Sequence, residues 1–181
     1  MMRDQVSELR HAVELMERRG FKLIESSERS ALMELANMKV MVVIPIKDYW
    51  SWLTIDDAVK EFMLDKVDSV IIISERPYYL ADELNAAIEK ANLLGKGLRA
   101  KVYPVYMGDV DGQLNFVLGT MLVINYDKIS NSITSDGPCP SCGESMKLVF
   151  KHPFTAEDGQ ATEEIIICPK CSVRLHRIVR E

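Results

Sequence analysis

Residues 38–50, MKVMVVIPIKDYW, contain seven consecutive apolar side chains, Val40 to Ile46, closed abruptly by Lys47 and Asp48. β-Branched residues dominate the run. That pattern predicts a strand buried on both faces, at the middle of a sheet rather than at its edge. Pro45 has no ladder donor and is unusual inside a central strand. Lys47 emerges from the most buried part of the chain, so the end of this strand is where function is sought first.

Upstream, Val6, Leu9, Val13 and Met16 recur at helical spacing within 2–19. Arg18, Arg19 and Gly20 supply the cations and the glycine that stop a helix. Phe21 to Ser27 reads as a strand, SSERS (26–30) as a turn and Ala31 to Ala36 as a second strand, joined through Asn37 to the central one. Downstream, Thr54 with Asp57 three residues later opens a helix as a capping box does. Val67 to Ser74 is a second buried strand, and the intervening short helix makes the two strands parallel. A helix from Tyr79 to Leu94, a strand from Lys101 to Met107 and a helix through Leu114, Val117, Leu118, Met121 and Leu122 complete the pattern. This order predicts an α/β domain over 1–128, with a mixed central sheet and flanking helices. Residues 129–138 have linker composition, and 139–181 form a separate small module.

Hydrophobic residues make up 48% and charged residues 27% of the chain, the balance of a globular protein. The net charge of −5 excludes a global basic field. The acidic excess lies in 51–138, with eight basic against thirteen acidic groups, so any nucleic-acid contact must be a local patch. The N-terminal MMRDQVSELR lacks the apolar region of a signal peptide, and no apolar run approaches the ~20 residues of a membrane span. A cytoplasmic protein without a membrane partner is expected.

The four cysteines fall in two pairs, CPSCG (139–143) and CPKC (168–171). In a reducing compartment two Cys-x-x-Cys turns argue for a metal rather than for disulfides. Each turn offers zinc one edge of a tetrahedron, so Cys139, Cys142, Cys168 and Cys171 are the expected ligands. Redox-active or bridged pairs are the alternative, and His152 or His176 could substitute for a cysteine. With strands expected at Met146–Phe150, Glu164–Ile167 and Ser172–Val179, residues 139–180 resemble a zinc ribbon. Four thiolates leave no open coordination position, so this zinc is structural. Lys170, Arg174, Arg177 and Arg180 either track phosphates or are solvated charges balanced by nearby acids.

Two further textures carry a second resemblance. One is the opening helix ending in ERRGFKLI; the other is VDSVIIISERPYYLADELNAAIEKANL (67–93). With the element order, they make residues 2–108 similar to restriction-endonuclease-like domains of the PD-(D/E)xK group, in the branch of Mrr-like and Holliday-junction-resolvase-like nucleases. The resemblance implies Mg²⁺ held by acids on the second and third strands, with a lysine two residues beyond the later acid. Hard Mg²⁺ requires such oxygen ligands. Aligning Lys47 with that lysine puts Pro45 where the strand-three acid belongs. Glu34 remains on the second strand, and Glu14 or Glu17 on the first helix. The implied nuclease centre is therefore degenerate, with Glu34 and Lys47 as remnants, and Mg²⁺ is expected only if it is active.

Candidate phosphate contacts are Lys47, Arg76, Lys96, Arg99, Lys101, Arg174 and Arg177, with Tyr78 and Tyr79 at the rim of the same cleft as Arg76. Trp50 and Trp52 could stack on a base, cap the core or fill a homodimer contact. The expectation is a zinc-containing protein that binds nucleic acid, DNA first, without cutting it. The alternatives are a protein-binding regulatory subunit and an active Mg²⁺-dependent nuclease.

Overall fold

The computed structural model describes residues 5–46 and 54–180. Lys47, Asp48, Trp50 and Trp52 thus lie outside the described residues. Helix α1 (Gln5–Glu17) leads into strands β1 (Lys22–Ser26), β2 (Ser30–Leu35) and β3 (Met38–Val43), which form an antiparallel meander. Helices α2 (Ile55–Phe62) and α3 (Pro77–Leu93) connect β3 to β4 (Ser69–Ser74) and β4 to β5 (Lys101–Tyr106), and these three strands run parallel. The product is a mixed five-stranded sheet ordered as in the sequence. Helices α4 (Val110–Ile124) and α5 (Tyr126–Ile129) follow. A second, antiparallel sheet of β6 (Lys147–Ala156), β7 (Gly159–Ile167) and β8 (Arg174–Arg180) ends the described chain. No described helix is long and apolar enough to cross a membrane.

Alternation along the strands sends side chains into two cores. Val40, Val42, Ile71 and Ile73 meet α1 and α4 on one face. Met41, Val43, Val70 and Ile72 meet α2 and α3 on the other. Both crossover helices lie on one face, as right-handed connections require when parallel strands add in one direction. The Thr54 hydroxyl accepts from the Asp57 amide at 3.2 Å and the Asp57 carboxylate reciprocates, so the capping box opens α2 as its sequence predicts.

The central strand is shorter than its apolar run. β3 ends at Val43; Ile44 is buried, and Ile46 is 67% exposed. Pro45 supplies no N–H and restricts the residue before it, so the ladder stops there. β4 continues past the last β3 pair, Val43–Ile72, to Ser74.

Edge strand β5 contains Pro104, which shares its parity with Val102. Val102 turns its peptide groups to the free edge, where the Asn85 side chain donates to its carbonyl and accepts from its amide, each at 2.9 Å. Pro104 therefore lacks an N–H only where no neighbouring strand would use it. The Asn85→Leu substitution should leave two edge groups unpaired and lower stability by about 1–3 kcal/mol, read as a lower denaturant midpoint.

Candidate metal centre

Each Cys-x-x-Cys turn folds back on its own backbone. The Gly143 amide donates to the Cys139 carbonyl at 2.8 Å, and the Ser172 amide to that of Cys168 at 3.1 Å. Both turns need a residue with positive φ: Gly143 at 80°, as its sequence position suggests, and Ser172 at 61°, a less obvious choice. The hairpin between them brings the turns together. Cys139 and Cys171 sulfurs lie 3.7 Å apart, those of Cys142 and Cys168 3.4 Å, and all four ligand atoms fall within 4.8 Å of one another.

Four sulfurs around one ion at a metal–sulfur distance of about 2.3 Å are separated by about 3.8 Å in a tetrahedron. A disulfide would need about 2 Å, and all four cysteines are free. The cluster therefore fits one metal ion such as zinc, held by four thiolates. Burial pushes the Cys139 thiol well above its ordinary pKa, against the amides of Cys142 and Ser141, which favour the thiolate. Metal capture would thus release protons, and acid would favour metal loss. Neither histidine joins the cluster. His176 lies 2.6 Å from the Glu163 carboxylate, and His152 packs 6.3 Å from the Phe150 ring.

The seat of the first turn comes from the other end of the chain. Arg19, just beyond α1, is 5% exposed. Its guanidinium donates to the Ser141 carbonyl at 3.0 Å, to the Leu15 carbonyl and to the Asn115 side-chain oxygen of α4. Burial lowers its pKa, while Cys142, Asp111 and Cys139 act to restore it. A cation here suits a centre in which four thiolates outweigh a divalent ion. Small residues complete the notch: a Cβ on Gly20 would meet Pro138 at 3.3 Å, and one on Gly119 would meet the Ser141 hydroxyl at 3.1 Å. Cys139, Cys168, Met146, Ile166 and Leu175 share one core with Met16, Leu118 and Ile133.

The polar stretch beginning at Ile129 is ordered against both sheets. Ile129 and Ile133 are buried. Lys128 pairs with Asp68, and Tyr126 donates its hydroxyl proton to the His176 carbonyl. Arg177 donates to the Ser130 and Ile133 carbonyls and pairs with Glu164 at 2.9 Å. An expected phosphate contact is thus occupied inside the protein.

The other predicted residues are dispersed. Glu34 faces Lys39, at the start of β3, whereas Ser30 faces Val43, at its end. Four residues at about 3.3 Å each place Glu34 about 13 Å along the strand from Val43, its last residue. Glu14 and Glu17 are exposed on or at the end of α1. Arg76 is exposed at the N-terminus of α3, beside exposed Tyr78 and Tyr79 at the carboxyl ends of the parallel strands. Lys101 begins β5 at the opposite end of the sheet, 5.6 Å from the Tyr103 ring centre, with exposed Arg99 just before it. Lys96 forms a 3.2 Å ion pair with Asp56. Arg174 is exposed at the start of β8. Among the described residues, the four cysteines are the only group of three or more His, Cys, Asp or Glu side chains placed to hold a metal.

Compared with known proteins, the chain matches no protein-family model, and no curated protein matches it at a significant level. Arg19, Asn115 and Gly119 escape sequence reading because each has an adequate local explanation. Arg19 passes for a helix-stopping cation. Replacing it with methionine should leave the Ser141 and Leu15 carbonyls and the Asn115 side chain without their shared donor. The expected cost is about 2–4 kcal/mol in chemical denaturation, with metal content unchanged. Wild-type stability in Arg19→Met would contradict this role.

Proposed function

We propose that this chain is a zinc-dependent nucleic-acid-binding protein, built on a restriction-endonuclease-like scaffold without a working nuclease centre. The observation that carries this reading is how charge is spent in the ribbon. Three of its acids are used internally, Glu164 on Arg177, Glu163 on His176 and Asp158 on Arg180, while Glu144 and Glu157 stay exposed. Lys147, Lys151, Lys170 and Arg174 are left exposed in a chain whose net charge is −5. A local cationic surface on an acidic protein is what selective phosphate contact requires.

The scaffold part rests on the element order, the antiparallel-then-parallel sheet and the sequence textures at 67–93. Against cutting stands the register of Glu34, about 13 Å along β3 from Val43, where the strand ends. A two-carboxylate Mg²⁺ site needs its acids together. Binding without hydrolysis follows, and zinc supplies structure only.

A protein-binding role is the second reading. It is favoured by the outer face of α4, where Phe116 and Val123 are 77% and 76% exposed. Fluorescence anisotropy with a labelled single strand, a duplex and a branched junction separates the two. If three or four phosphates are contacted, affinity should fall roughly 20- to 150-fold between about 50 and 200 mM salt. No binding at the lower salt, with a full complement of zinc, would refute the nucleic-acid role. Mg²⁺-dependent cleavage lost in Lys47→Ala would refute the degenerate centre.

A further inference from the structure

The ribbon sheet has two unlike faces, and alternation assigns every side chain to one of them. Ile166 and Leu175, paired across β7 and β8, belong to the shared core. Arg177, on the same face, reaches the Ser130 and Ile133 carbonyls. That face is turned to the α/β domain, so the other is turned away from it.

The outward face follows from the register. Along β6 it carries Lys147, Phe150, His152 and Phe154, paired with Ile167, Ile165, Glu163 and Ala161 of β7. Alternation puts both phenylalanines and His152 on one side, and the bulge between Leu148 and Phe150 brings Lys147 onto that same side. β8 adds Arg174 and Ile178. Phe150 and Ile178 are 43% and 55% exposed, and His152 is exposed. The Phe150 and His152 ring centres are 6.3 Å apart, close to the spacing of alternate residues on a strand. The strands of this face carry one acid, Glu163, whose carboxylate is hydrogen-bonded to the His176 ring at 2.6 Å. Lys147 and Arg174 flank the same β7 residue, Ile167, at the end nearest the metal turns.

We infer that this outward face is a stacking platform for unpaired bases, with Lys147 and Arg174 gripping the backbone of a single-stranded nucleic acid. The inference rests on the nucleic-acid reading above and adds its site and its substrate class. Aromatic rings in a row with cations at one end match exposed bases and phosphates together. A duplex hides its base faces and offers such a sheet only phosphates. An apolar protein partner would leave the Lys147–Arg174 pair without complement.

The test uses the full-length, zinc-loaded protein with oligo-dT, oligo-rU, an abasic strand and a duplex of equal length. Binding should favour the two base-bearing strands, and their ratio tells DNA from RNA as the preferred source. Phe150→Ala and His152→Ala should each weaken binding about 10-fold while keeping the salt slope. Lys147→Glu with Arg174→Glu should weaken binding and flatten the slope. Zinc content and unfolding midpoint, measured alongside, identify a variant that has lost its fold. Equal affinity for the abasic and base-bearing strands, or wild-type binding by the folded aromatic variants, would overturn the platform while leaving nucleic-acid binding intact. Failure of the wild-type protein to bind any of the four would refute both.

Discussion

The Arg19 guanidinium is the interaction on which the arrangement of this protein turns. It is one buried cation, and it ties three parts of the chain: the end of α1 through Leu15, helix α4 through Asn115, and the first cysteine turn through Ser141. A buried guanidinium is tolerable only when its donors are used and a negative charge lies near. Here the carbonyls and amide oxygen satisfy donors, and the four cysteines, as thiolates around a metal ion, would supply the charge. The consequence is mutual. The metal turns are held in a notch of the α/β domain, and the notch is closed by the metal turns.

This arrangement explains how so small an antiparallel sheet can persist. A module of this size has too little apolar area to fold alone without help. The cysteine module completes a core with Met16, Leu118 and Ile133, and a metal held by its four cysteines would add stability. Its inner face is therefore committed to structure, including Arg177, whose guanidinium is spent on Glu164 and two backbone carbonyls. Cations that look equivalent in sequence, Arg174 and Arg177, differ in surroundings because they stand on opposite faces of one strand.

The elements were largely legible because strong local signals set them. The Thr54 capping box and the apolar strands at 67–74 and 101–107 carry their own evidence. The cysteine cluster was equally plain, since spacing alone brings paired cysteines into turns that could hold a metal. What sequence could not supply was long-range register. Glu34 looks like a partner for the lysine end of the central strand until pairing places it opposite Lys39. The hairpin of β6 and β7 extends to Ala156 and Gly159, beyond the strands expected at 146–150 and 164–167, because polar and charged residues fill its solvated half. The sharing of one face by Lys147 and Phe150 depends on a bulge at Val149, which no periodicity announces.

The central claim, that the metal centre and the α/β core are one structural unit, is tested most directly by hydrogen exchange before and after chelation. Removal of the metal should reduce protection in residues 139–180 and also in the last turn of α1 and the Asn115–Gly119 segment of α4. Loss confined to 139–180, with α1 and α4 protected as before, would contradict it.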